Sequence, residues 1–170
     1  MQSEVILPTS GPMCSTIPSI LASPMPLNYM NWIEELQNIN YIAVAIATIT
    51  SYVLGFAWYH WAVFGEAWAN ALSITKEEAD NTEGLGGAFI MSLISGLTKT
   101  LCIALLMAAA NISGVLNGAL FGAVLATVFI FTSLGYYNGF ARTSSKLTLI
   151  NSAHGIVELA LIGAIIGIFT

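Results

Sequence analysis

Residues 147–169 read LTLINSAHGIVELALIGAIIGIF, an apolar segment that contains one charged residue, Glu158. A helix needs roughly 20 apolar residues, at about 1.5 Å each, to cross the hydrocarbon core of a membrane. This segment is therefore long enough to span. A carboxylate at its centre is costly in lipid, so Glu158 is expected to face the protein interior and to have a function.

Three further segments share this length and composition. Together with the first they predict spans at about residues 41–61, 87–110, 114–134 and 147–169. Only 8% of the chain is charged and 56% is hydrophobic, whereas soluble domains carry about 25% charged residues. The sequence predicts an all-α polytopic membrane protein, with four transmembrane helices in a bundle whose main partner is the lipid bilayer.

The N-terminal region differs from the rest of the chain. All five prolines lie within the first 26 residues, and this stretch lacks both helical periodicity and the features of a signal peptide. We interpret residues 1–29 as an irregular, disordered tail and residues 30–170 as the membrane domain. An alternative is that translation starts at Met30. Asn31 with Glu34 resembles a capping box, which predicts a helix beginning there.

Basic residues predict the orientation, because loops rich in lysine and arginine stay in the cytoplasm. Lys76 follows the first span, and Arg142 and Lys146 follow the third, whereas both terminal regions and the remaining loop have none. The chain is therefore expected in the cytoplasmic membrane of a bacterium, with both termini outside. Thr75 and Glu78 form a second capping-box pattern, which predicts a short surface helix.

Aromatic residues gather beside these basic loops. Tryptophan and tyrosine favour the level of the lipid headgroups, so we interpret them as interface anchors rather than binding groups. The predicted anchors are Trp58, Tyr59, Trp61, Trp68 and Tyr136.

Polar side chains follow one face of each span at helical spacing. Lys99 and Glu158 lie about 11 or 12 residues into their spans, roughly 16–18 Å deep and near the membrane midplane. The pattern predicts a polar half-cavity open to the cytoplasm. Its candidate binding residues are Lys99, Glu158, His154, Asn151, Ser95 and Tyr52, with Thr132, Ser133 and Tyr136 contributed by span three. Outward, it is expected to be closed by Ile103, Leu106, Ile162 and Ile165.

Three interpretations of Lys99 and Glu158 remain open. They form a structural ion pair that fixes helix register, or they couple to protons or substrate together with His154, or their side chains do not meet. An unpaired charge in hydrocarbon tends to neutralise, and desolvation offsets much of what pairing gains.

Several chemistries lack support in the sequence. The net charge is −5 and there is no basic patch, which argues against nucleic acid as a partner. His154 and Glu158 are spaced for a metal, but two ligands without a third are weak evidence. No nucleophile–base set, phosphate loop or HExxH motif is present. We predict no catalytic residues, metal or cofactor.

Small residues recur every fourth position, which allows helix backbones to approach closely in lipid. They predict either packing within the bundle or a homo-oligomer. These stripes comprise Ala43, Ala47, Ser51 and Gly55 in span one, Gly114, Gly118 and Gly122 in span three, and Gly163 and Gly167 in span four.

The segments NW at 31–32, LGFAWY at 54–59 and FGEAW at 64–68 carry a resemblance. They resemble the domain of unknown function 1761 family, whose members begin near Met-Asn-Trp and carry a Gly-x-x-Trp-Tyr…Phe-Gly-x-x-Trp signature. The resemblance covers about residues 30–169. The chain departs from the pattern at His60, Trp61 and Glu66. No activity is established for the family, so the resemblance implies four membrane helices and no mechanism.

The favoured function is a small transporter or permease-like protein that uses the half-cavity for an unknown small molecule or ion. The alternative is a non-transporting interaction or assembly protein in which Lys99 and Glu158 form a structural pair. A membrane enzyme ranks third, because the sequence lacks a catalytic constellation.

Overall fold

The computed structural model describes residues 32–170, and within that range the chain is helical without strands. In chain order the helices are α1 (Trp32–Asn38), α2 (Tyr41–Trp58), α3 (Glu66–Leu72), α4 (Lys76–Asp80), α5 (Gly86–Ala109), α6 (Val115–Leu125), α7 (Thr132–Phe140) and α8 (Ser145–Ile168). Two π-helical turns, Trp61–Gly65 and Ala126–Phe131, precede α3 and α7. The predicted tail, the Met30 start and the cap at Asn31 lie outside the described residues.

Four helices in this part of the chain are long and apolar enough to cross a membrane, which confirms the predicted all-α, four-span fold. They are α2, α5, the continuous helix Val115–Phe140 and α8. The first span ends at Trp58 instead of residue 61, because the backbone of His60 is extended. The third continues six residues beyond position 134, up to a turn in which Arg142 has a φ of 54°.

Side-chain caps fix the starts of two helices. The side-chain oxygen of Asn40 accepts hydrogen bonds from the backbone N–H groups of Ile42 and Ala43 at the start of α2. Thr75 and Glu78 form the predicted capping box at the start of α4, with reciprocal bonds of 3.2 and 2.7 Å. Such bonds satisfy N–H groups that a helix start otherwise leaves unpaired.

The central helix is α8, which packs against α2, α5 and α6. Its contact with α6 is made by glycines: a Cβ at Gly118 would overlap the carbonyl of Gly163, and one at Gly122 would overlap the carbonyl of Leu159. In α2, Ala43 and Ala47 are buried within the bundle. The small-residue stripes thus serve packing within this chain, and homo-oligomerisation stays a prediction.

An aliphatic core fills the bundle beyond Lys99 and Glu158. Ile103 and Ile162 are buried there, as predicted, and Ile165 packs against them. The prediction for Leu106 was wrong, because its side chain is 38% exposed while that of Met107 is fully buried. The rotation of α5 about its axis turns Met107 inward, where its methyl group lies beside Gly118.

Candidate functional site

A cavity of about 1000 Å³ lies between α2, α5 and the segment from His60 to Leu85, with α8 at its inner end. It belongs to the end of the bundle that carries Lys76, Arg142 and Lys146, which we call the basic end. The extended backbone at His60 turns the chain out of α2, and the short helices α3 and α4 follow. This segment supplies a third wall to a space that two spans alone would leave open.

Lys99 and Glu158 meet at the inner end of the cavity. The Nζ of Lys99 lies 2.5 and 2.6 Å from the two carboxylate oxygens of Glu158, and the hydroxyl of Ser51 donates to Oε1 at 2.5 Å. The side chain of Glu158 is 6% exposed and that of Lys99 is 30% exposed. The carboxylate is therefore enclosed by its partners, while part of the Lys99 side chain faces the cavity.

Gly96 lies where α5 faces α2 beside this pair. Gly96 is buried one turn from Lys99, and a Cβ there would lie 3.8 Å from the hydroxyl oxygen of Ser51. The hydroxyl of Thr100 donates to the carbonyl of Gly96 at 2.8 Å, so it is satisfied within its own helix. Ser51, in contrast, bonds across to Glu158 of another span.

His154 lies one turn from Glu158 toward the basic end. Its ring packs between Trp58 and Tyr59, with centroid distances of 5.7 and 5.3 Å. Its Nε2 atom is buried and has no hydrogen-bond partner within the described residues. Because buried polar atoms are usually paired, this nitrogen is a group available to a solute or water molecule.

Tyr59 joins the end of α2 to α8. Its hydroxyl donates to Oδ1 of Asn151 at 2.9 Å, and its ring contacts Trp68. Burial, and secondly the negative charge of Glu158, raise the pKa of Tyr59 from 10.0 to about 12. The phenol is therefore a neutral hydrogen-bond donor at ordinary pH.

Aromatic rings form much of the middle wall. Phe56 of α2 stacks on Phe89 of α5 at 6.0 Å, and Tyr52 meets the edge of Phe56 at 5.0 Å. Near the basic end, the Nζ of Lys76 lies 5.5 Å from the ring centre of Trp61, a cation–π contact. The cavity is thus apolar in its middle and polar at both ends.

The sequence-predicted candidates are partly brought together. Lys99, Glu158, His154, Ser95 and Tyr52 all line the cavity. Asn151 is outside the lining and pairs with Tyr59. A role in binding stays a prediction for each of them.

The expected contribution of span three was wrong. Thr132, Ser133 and Tyr136 are exposed and do not line the cavity. The hydroxyl of Thr132 donates to the carbonyl of Val128 in its own helix, so it needs no partner from another span. The glycine contact holds this span against α8, away from the wall formed by α2 and α5.

The predicted anchors have different surroundings. Tyr59, Trp61 and Trp68 line the cavity, Trp58 packs on His154, and Tyr136 is 72% exposed beside Phe140. Three residues that the sequence assigned to the lipid interface thus face the cavity as well.

The wall that sequence reasoning missed is the segment after span one. Its sequence signal was Gly65, where a Cβ would come within 2.5 Å of the carbonyl oxygen of Tyr59. A glycine required at that point indicates that the chain folds back onto the end of α2. Phe56 and Phe89 were also missed, because the sequence does not distinguish an apolar residue that faces a cavity from one that faces lipid.

The described residues hold no group of three or more histidine, cysteine, aspartate or glutamate side chains able to bind a metal. The chemistry offered is hydrogen bonding and charge in an apolar enclosure, which is suited to binding a solute.

Four apolar spans, three of which contribute to a cavity with an ion pair at its inner end, define an integral membrane protein. Over residues 42–167 the chain matches the family described as "Protein of unknown function (DUF1761)", and it belongs to that family. The resemblance noted in the sequence is thereby confirmed. No curated protein and no solved structure matches the chain.

Proposed function

We propose that this protein is a small transporter or permease-like protein of the cytoplasmic membrane, which admits a small solute from the cytoplasm. Both termini would lie outside, so that the basic end faces the cytoplasm. The observation that carries the proposal is the cavity of about 1000 Å³ that ends on Lys99 and Glu158.

The cost of the ion pair supports this function. Two charges placed near the middle of a membrane protein are expensive even when paired, and an apolar pair would hold the helices together more cheaply. Solute binding would explain why so costly an ion pair is present. Lys99 is exposed to the cavity, so a solute entering from the basic end would reach its ammonium group.

The second candidate is a non-transporting membrane interaction or assembly protein in which the pair is a structural lock. One observation favours it: Glu158 is bonded to both Ser51 and Lys99, so that α2, α5 and α8 are joined at one carboxylate. Such a three-helix connection would fix register without any solute.

Exchanging the charges distinguishes the two candidates. Lys99→Glu combined with Glu158→Lys should restore folding under both. Only the structural lock also predicts recovery of any cellular phenotype that the single changes abolish. If Lys99→Ala and Glu158→Ala are both silent in stability and phenotype, neither candidate survives.

The direct test of solute binding is thermal unfolding of the purified protein in detergent against a panel of metabolites and ions. A transporter should be stabilised by its solute, since a ligand that binds only the folded state raises its stability. The stabilisation should disappear when Lys99 and Glu158 are replaced by the neutral residues Met and Gln.

A further inference from the structure

The size of the cavity bears on the kind of solute. A bare inorganic ion would leave most of a 1000 Å³ space unfilled, whereas pockets of about 300–1000 Å³ are typical of organic ligands. The cavity therefore fits an organic molecule.

The walls favour a solute with an apolar body. Between the two polar ends, the rings of Tyr52, Phe56 and Phe89 form a continuous aromatic surface from α2 to α5. Such surface gains free energy by removing apolar area from water. A fully polar solute would forgo that gain.

At the inner end the exposed charged group is a hydrogen-bond donor, and the hydroxyls beside it can donate as well as accept. Glu158, the acceptor, is 6% exposed and already accepts bonds from Ser51 and Lys99. The ammonium group of Lys99 has three N–H donors, and its side chain is 30% exposed. Within the described residues the hydroxyls of Ser95 and Tyr52, both in the lining, have no hydrogen-bond partner. An incoming solute thus meets the cation of the ion pair, since its carboxylate partner is enclosed, together with hydroxyls that can donate to the solute.

Resting on the function proposed above, we propose that the solute is an amphipathic organic anion. Its carboxylate binds Lys99 and the neighbouring hydroxyls, and its apolar body lies against the rings of Phe56 and Phe89. A charge-assisted bond between an ammonium and a carboxylate is stronger than its neutral counterpart. The same chemistry is offered by water-soluble aromatic acids and by fatty acids from the bilayer.

The test compares three probes of one shape: 3-phenylpropionate, 3-phenylpropylamine and 3-phenylpropanol. Binding is measured on the full-length protein in detergent, by thermal stabilisation and by quenching of tryptophan fluorescence. The carboxylate is expected to bind about tenfold more tightly than the alcohol or the amine, as one charge-assisted hydrogen bond implies. Oleate, added as a fourth probe, identifies the source of the solute. If oleate displaces 3-phenylpropionate and binds more tightly than it does, the site is assigned to fatty acids of the bilayer.

The variant Lys99→Met/Glu158→Gln removes both charges together, so that no unpaired charge remains to unfold the protein. It should bind the carboxylate no better than the alcohol. The matched control is Lys146→Met, which removes a lysine that is exposed and outside the cavity lining. This control should keep the preference for the carboxylate.

Equal binding of the three probes, or preference for the amine, would overturn this inference while leaving a solute-binding cavity. The same holds if none of the probes binds but a metabolite or ion of the wider panel does. Failure of every solute to stabilise the protein would count against both the inference and the proposed function.

Discussion

Ser51 donates a hydrogen bond of 2.5 Å to Oε1 of Glu158, 107 positions later in the chain. The same oxygen accepts a bond from Lys99, so three of the four spans meet at one carboxylate. Because the side chain of Glu158 is 6% exposed, its charge is stabilised by these partners rather than by bulk water. Removal of either partner should therefore affect folding as well as binding.

The two members of the ion pair should differ in their effect on stability. Lys99→Met leaves a buried carboxylate without its cation and should lower the free energy of unfolding by about 3 kcal/mol. Glu158→Gln leaves the more exposed lysine and should cost about 1 kcal/mol. Denaturation in detergent measures both, with Lys146→Met as the control. Equal losses would show that burial of Glu158 does not govern the pair.

Ser51→Ala should lower the free energy of unfolding by about 2 kcal/mol, because it removes a hydrogen bond to a charged group. Thr50→Ala is the matched control, since the hydroxyl of Thr50 bonds only to the carbonyl of Ile46 in its own helix. The control should stay within about 0.5 kcal/mol of the original protein. A loss at Thr50 as large as at Ser51 would contradict the prediction.

Gly122→Ala should separate α6 from α8 and lower the free energy of unfolding by about 3 kcal/mol or more, because the new Cβ meets the backbone of Leu159. The control is Gly135→Ala in α7, where nothing lies within 4 Å of the added Cβ. That change should be neutral or stabilising by about 0.5–1 kcal/mol. Comparable losses at the two positions would mean that close backbone approach is not what Gly122 provides.

The raised pKa of Tyr59 predicts that the protein loses stability at high pH. This pKa is raised from 10.0 to about 12 in the folded protein, so the unfolded chain releases the proton first. Stability from such a group is complete below pH 10 and falls as the pH rises toward 12. Tyr59→Phe should weaken the fall in thermal midpoint between about pH 10 and pH 12. Tyr136→Phe, at a residue 72% exposed, should leave it unchanged.

Single cysteines should report the orientation. With Cys14 and Cys102 changed to serine, Ser113→Cys lies in the loop between the second and third spans, and Ser144→Cys lies at the start of α8. A membrane-impermeant maleimide added to intact bacterial cells should label only Ser113→Cys. Labelling of Ser144→Cys alone would reverse the proposed orientation.

The spans could be predicted because length and composition alone determine whether a helix crosses lipid. The common depth of Lys99 and Glu158 on polar faces could also be read from the sequence, but whether their side chains meet stayed open there, and the structure shows that they do. The end of the third span could not be read, because Gly135 and Tyr136 resemble interface residues although the helix continues through them.

The third wall of the cavity, formed by the segment after α2, could not be predicted from the sequence for a different reason. Whether Trp61 and Trp68 face lipid or protein depends on how the chain folds back after α2, which one residue type does not specify. The position of Thr132 likewise depended on a contact elsewhere, between the glycines of α6 and α8. Local pattern gives the helices and their depth, and packing between distant segments decides which faces meet.

The glycine contact between α6 and α8 also makes one part of the bundle more tightly packed than the rest. Helices whose backbones touch cannot slide or part without losing close packing along several turns. In contrast, α2 and α5 meet at the basic end only through side chains such as Phe56 and Phe89, with the cavity beside them. A change in the volume of the cavity would therefore come from α2, α5 or the segment that connects them, while the α6–α8 pair would keep its packing.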